Sequence, residues 1–138
     1  MYLIDTNVIS EARKGRYSNR GVRAFFRHVV KDETPVYISV VTVGELRRGI
    51  EKIRHRQDFK QADNLERWFN SLLTEYGDNI LGFDRDAAQV WGKLRVPYHE
   101  NALDKQIAAT ALIHDLTIVT RNVSDYKDCG ASLLNPFQ

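Results

Sequence analysis

Short apolar runs that end in polar or acidic residues alternate with longer amphipathic stretches, and few folds accommodate that alternation. Tyr2-Leu3-Ile4 runs into Asp5-Thr6-Asn7, a cluster suited to starting a helix. Val36 to Val41 (VYISVV) is β-branched, and Leu46, Ile50 and Ile53 follow it at i, i+4 and i+7. Leu65, Phe69, Leu72 and Leu73 predict an amphipathic helix from about Phe59 to Tyr76. Ile80-Leu81-Gly82-Phe83 is a candidate strand, after which Asp84 can cap a helix carrying Ala87, Ala88, Val90, Trp91 and Leu94, with Pro97 ending it. Ala102 to His114 is apolar on almost every side, as a buried helix should be, with His114 placed where a helix dipole favours it. Leu116 to Thr120 (LTIVT) reads as a strand, and Ala131 to Leu134 as a last short one.

Parallel strands need crossovers of a dozen residues or more, usually helical, so this order predicts an α/β three-layer sandwich with a mostly parallel central sheet flanked by helices. The 138 residues suit one domain spanning 1–138, and no repeat, low-complexity tract or Pro/Gly-rich linker divides them. No stretch approaches the ~18 apolar residues of a membrane span, and the opening residues do not read as a signal peptide. Cys129 is the only cysteine, which excludes an internal disulfide and a cysteine-type metal site and fits a reducing cytoplasm.

In parallel sheets the functional crevice lies beyond the carboxyl ends of the strands. Asp5 follows the first strand, Glu45 opens the helix after the second, and Asp125 lies in the loop leaving LTIVT. Asp104 stands in the first turn of the buried helix, where Ala108 and Ala111 let that helix approach the sheet and bring its carboxylate to the same end. Each acid also has a purely structural reading. Asp5 suits a helix N-cap, Asp104 opposes the positive end of a helix dipole, and Asp125 suits a turn. Thr42-Val43-Gly44-Glu45 fits a T-x-x-E capping box, the strongest of these alternatives. Asp84 is a possible fifth acid, better read as a cap.

Four carboxylates together repel one another unless a cation joins them, and oxygen-only ligands suit Mg²⁺ or Mn²⁺ better than zinc. His28, His55, His99 and His114 show no ligand spacing. Acidic metal clusters usually cleave phosphate esters. There is no GxxxxGK[ST] loop, no GxGxxG after a strand, no GxSxG elbow and no HExxH helix to suggest another chemistry. The 20 Lys plus Arg against 18 Asp plus Glu give a net charge of only +2, too small to mark a nucleic-acid protein. Arg47, Arg48, Lys52, Arg54, Arg56 and Lys60 nonetheless form a basic helix face, open to a phosphate backbone, to an acidic partner or simply to solvent.

The segments YLIDTNVIS, ISVVTVGELRRG and LDKQIAATALIHDLTIVTRNVSDY, in that order, together resemble PIN-domain proteins, especially the VapC-like toxins of toxin–antitoxin pairs, from residue 2 to about residue 137. The resemblance implies a Mg²⁺- or Mn²⁺-dependent endoribonuclease. It implies a homodimer silenced by a VapB-like antitoxin whose inserted segment covers the acidic site, and RNA, with transfer RNA as one candidate, as substrate. Carried over residue by residue, it makes Asp5 a direct metal ligand, with Glu45, Asp104 and Asp125 binding or orienting the metal and its water. Thr6, Asn7, Thr120 and Asn122 match the polar residues that hold those carboxylates in position. Lys105 departs from the family, which often has a small residue there; it either points away or meets a phosphate. Two other functions compete. A protein-binding module on the same fold would use the acids only as architecture, and metal binding would separate it from a nuclease. A phosphoacceptor signalling domain would need a phosphorylatable Asp on a central strand and a Lys after a late strand, whereas Thr120-Arg121-Asn122 stands there.

Overall fold

Strands β1 (Tyr2–Ile4), β2 (Val36–Ser39), β3 (Ile80–Leu81), β4 (Thr117–Val119) and β5 (Leu133–Leu134) form one sheet in the computed structural model, which describes residues 1–138. The spatial order is β3-β2-β1-β4-β5, and every pairing is parallel. Helices α1 (Thr6–Ala12), α2 (Arg20–Lys31), α3 (Val40–His55), α4 (Phe59–Tyr76), α5 (Arg85–Leu94) and α6 (Ala102–His114) supply the first three crossovers, and a 3-10 turn, Val123–Tyr126, lies in the fourth. The expected sandwich is present, with a sheet that is wholly parallel.

Neighbouring residues of a strand face opposite layers, which explains why these strands read as unbroken apolar runs. Ile4, Ile38 and Val119 pack with Val8, Val22, Leu46, Ile50, Phe69 and Leu72 from α1 to α4. Leu3 and Ile118 face the other way, against Ile107, Ala108 and Ala111 of α6, with Tyr126 and Cys129. Leu3, Ile4, Ile38 and Ile118 are fully buried, worth roughly 1.5–3 kcal/mol each. The alanines let α6 lie close to the sheet, as its sequence suggests.

Three expectations change. The strand expected over Val36–Val41 stops at Ser39, whose hydroxyl accepts from the Val41 N–H at 3.0 Å, so α3 begins at Val40 and no capping box forms at Thr42 and Glu45. Both residues lie inside the helix, with Thr42 fully buried. The strands expected over Ile80–Phe83, Leu116–Thr120 and Ala131–Leu134 are each trimmed to two or three residues. Helix α2, absent from the sequence reading, starts at Asn19, whose side chain accepts from the Gly21 N–H at 2.9 Å. The chain end docks here: Asn19 Nδ2 donates to the Gln138 carbonyl at 2.8 Å, and a Cβ on Gly21 would lie 2.1 Å from the Pro136 carbonyl oxygen. Only glycine fits that contact.

Candidate acidic active site

Strand order turns back at β1. The chain proceeds from β1 through β2 to β3 on one side, then returns to place β4 on the other, so the carboxyl ends of β1 and β4 flank a topological switch point. Ile4 is in register with Val119, and the Asp5 N–H donates to the Val119 carbonyl at 2.9 Å. That register sets Asp5 beside Thr120, one residue past each strand.

Asp5 is 5% exposed and its oxygens are well supplied with donors. Oδ1 accepts from the Thr6 N–H at 2.8 Å, while Oδ2 accepts from the Thr120 hydroxyl at 2.8 Å and from Asn7 Nδ2 at 3.2 Å. Asp5 also stands at the N-cap of α1, so its structural reading and its site reading hold together. Asn7 ties the two loops further: Nδ2 reaches Thr120 Oγ1 at 3.2 Å, and Oδ1 accepts from the Arg121 N–H at 2.9 Å. Asn122 contributes its backbone, donating to Thr120 Oγ1 at 3.0 Å. Glu45, in the second turn of α3, accepts from the Thr6 hydroxyl at 2.8 Å, and that hydroxyl also lies 3.2 Å from Thr42 Oγ1. Thr6 therefore links the acid of α3 to the loop that carries Asp5.

Asp104 is half-buried in the first turn of α6, as its sequence position suggests. Burial, and then the charges of Asp5, Asp125 and Glu45, raise its pKa from 3.8 to about 6. The other three predicted acids thus act on this one carboxyl group. Glu45 is raised as well, first by burial and further by Asp5, with the Thr6 hydroxyl opposing. Asp125 is exposed on the 3-10 turn Val123–Tyr126.

Sequence reasoning missed Tyr126. Its ring is buried against α6 and its hydroxyl donates to Asp104 Oδ1 at 3.4 Å, a long contact. Burial, and the charges of Asp5 and Asp104, push its pKa upward, so the phenol stays protonated as a donor facing the acids. An aromatic residue directly after Asp125 in an otherwise polar turn was the available signal. Thr42 was read only as a cap. Asp84 does cap α5, accepting from the Ala87 N–H at 2.9 Å, and Lys105 points away from the cluster, its Nζ donating to the Tyr98 carbonyl.

The cluster offers oxygen donors only. No three of its acids lie close enough together to cage an ion, so one or two carboxylates would hold it directly and water would complete the shell, a coordination that Mg²⁺ accepts. No Lys or Arg side chain forms an ion pair with Asp5, Glu45, Asp104 or Asp125, so the donor set fits a divalent metal.

The PIN domain matches residues 2–126. Toxin FitB of Neisseria gonorrhoeae is 33% identical over 142 residues, covering 99% of each chain. VapC ribonuclease Y4jK of Sinorhizobium fredii is 30% identical over 146 residues, covering 100% of this chain and 99% of its own. The crystal structure of FitAcB from Neisseria gonorrhoeae superposes with a TM-score of 0.84 at 33% identity, over 99% of this chain and 98% of that one. Acids delivered to a parallel-sheet switch point, a domain match along most of the sequence, and full-length relatives of this kind place the chain in the PIN domain family.

Proposed function

We propose that this chain is the ribonuclease toxin of a toxin–antitoxin pair, cleaving RNA phosphodiesters at the Asp5, Glu45, Asp104 and Asp125 cluster with Mg²⁺ or Mn²⁺. The observation that carries the reading is that three acids from three other segments, Asp5, Glu45 and Asp125, act on Asp104 while no basic side chain pairs with it. Two of the relatives bear the words toxin and ribonuclease in their names.

In this reading Asp5 is the best-fixed metal ligand, because Thr120, Asn7 and the Thr6 N–H hold both its oxygens. Asp104 stands opposite it, with Tyr126 donating to one oxygen and leaving the other free. Glu45 is positioned by Thr6 to accept a proton from water or to hold that water by hydrogen bonding, and Asp125 closes the solvent side. A bound divalent ion would neutralise the carboxylates, acidify water and stabilise the leaving oxygen.

A silencing partner has a place to sit. A groove of about 910 Å³ between α1, α2 and α4 has an apolar floor of Ile9, Val22, Phe26, Trp68 and Leu72, with Arg13, Arg23, Arg27 and Lys31 along its rim. It suits an amphipathic antitoxin helix with acidic flanks, whose continuing chain would cover the acid cluster. From its family we assign the protein to the cytoplasm as a homodimer. Transfer RNA, with its unpaired loops, is the first substrate to examine.

The test is incubation of the purified, partner-free chain with total cellular RNA in Mn²⁺, Mg²⁺ or EDTA, beside Asp104→Asn, followed by mapping of new ends. Discrete, metal-dependent ends that the variant does not make are expected. Intact RNA with a folded, Mn²⁺-binding chain would overturn the reading.

A further inference from the structure

A second cavity of about 650 Å³ opens beside the acid cluster, and Asp104 and Asp125 belong to its wall. The other walls are the segment between α5 and α6, the Ala108 face of α6, and residues Ser124 to Cys129. From this we propose a pocket for one unpaired nucleobase next to the scissile phosphate, with Tyr98 as its stacking platform. The proposal rests on the nuclease reading above and adds the substrate feature that the site selects.

Three observations carry it. The first is a wall held in place without substrate. Lys105 Nζ donates to the Tyr98 carbonyl, Trp91 Nε1 donates to the Ala102 carbonyl at 2.9 Å, and the Arg95 guanidinium reaches the His99 carbonyl at 3.4 Å while lying over the Trp91 ring. Yet the side chain these bonds position is left in solvent, since Tyr98 is 70% exposed. An exposed aromatic ring on a braced backbone is how proteins offer a stacking face to a splayed base.

The second observation is Asn101. It occupies the N-cap position of α6 with left-handed backbone angles (φ 55°, ψ 47°), but its side chain caps nothing, so one amide donor and one acceptor remain for a base edge.

The third is charge. Glu100 and Asp128 line the cavity together with Asp104 and Asp125, against Lys105, already engaged, and Lys127. With Asp104 and Asp125 given to the divalent ion, Glu100 and Asp128 balance the two lysines, so the pocket has no cationic surplus to hold a phosphate and accepts a neutral group carrying N–H donors, as bases do. The volume falls within the usual range for small-ligand pockets. The phosphate then lies outward, toward the cluster.

The experiment measures binding of a fluorescent, unpaired RNA of about eight mixed nucleotides, and of a matching abasic strand, to the purified chain in EDTA. Tyr98→Ala is expected to weaken RNA binding about tenfold and abasic-strand binding less than about twofold, while Tyr98→Trp retains parent affinity. Asn101→Ala is expected to cost about threefold on RNA alone. Circular dichroism of each variant separates these effects from misfolding. Loss of less than about twofold on RNA by folded Tyr98→Ala, or equal loss on both strands, overturns the pocket. Total RNA left intact by the chain in Mn²⁺ would instead overturn the nuclease reading, and Tyr98-dependent RNA binding would survive that result.

Discussion

Charges in two regions of this molecule are handled in opposite ways. Along α3 and α4, Arg47 reaches Glu66 and Glu51, and Arg54 reaches Glu51, Asp63 and Glu66. The Arg47 and Arg54 partners hold Glu66 below the usual carboxylate range, and Glu51 chiefly raises Arg54. At the carboxyl ends of β1 and β4, carboxylates face carboxylates and only neutral donors serve them. The first region is a solvated helix pair in which much of the basic face is already spent, leaving Arg48, Lys52, Arg56 and Lys60 outside the network. The second carries an electrostatic cost that folding alone does not require. Uncompensated charge in a crevice is where a binding or catalytic role is to be sought.

The contrast breaks most directly at Asp104. Asp104→Asn should lower cleavage more than about 100-fold while raising the melting temperature of the metal-free chain, because a like charge is removed from a crowded site. A variant that melts lower than its parent would show that the acids are not in conflict. Asp5→Ala is the less clean test, since it also strips the N-cap of α1 and orphans the Thr120 hydroxyl.

Thr120→Val asks whether the neutral donors are what make the crowding tolerable. The buried hydroxyl serves Asp5, Asn7 and the Asn122 N–H at once, so its loss should cost about 1–3 kcal/mol of stability, read by urea unfolding with and without Mn²⁺.

The pH dependence sharpens the comparison further. Because the folded-state pKa of Asp104, about 6, lies above its ordinary 3.8, the folded chain holds the proton over that interval and the unfolded chain does not. Its contribution favours folding below about pH 4 and is lost as pH rises toward 6. Urea titrations of the parent and Asp104→Asn chains should therefore converge at low pH and separate by pH 7, with the variant the more stable. Mn²⁺ should diminish the separation by favouring the ionised carboxylate in the parent.

The smallest effect belongs to the paired region. Arg47→Gln, at a partly exposed pair, should leave the melting temperature within about 3 °C of the parent and cleavage unchanged. A large loss of cleavage would return the basic face to the RNA-binding surface.

Much of this organisation is written locally. Each buried strand needs apolar residues on both sides, so YLI, VYIS and TIV stand out, and an acid directly after such a run can be placed at a sheet's carboxyl end from position alone. Helix boundaries depend on finer competition. Val40 and Val41 are strand-forming by type, yet Ser39 caps a helix ahead of them, which moved Glu45 from the first turn to the second and turned its side chain to Thr6. The apolar spacing of α2, Val22, Phe25, Phe26 and Val29, was available but lies among arginines and went unread; the clasp that orders its start comes from Pro136 and Gln138. Tyr126 meets Asp104 only because α6 and the turn after β4 converge, a long-range fact no local pattern carries.

Strand β1 is central but is made of residues 2–4, and the partners that complete its site arrive last, with Thr120 and Asp125 near the other end of the sequence. A product of interrupted translation that stops before β4 lacks one neighbour of β1, the hydroxyl on Asp5 and the outermost acid. On the proposed reading, the order of synthesis therefore acts as a safety catch: the growing polypeptide holds an incomplete acid cluster until residues 117–125 have been added.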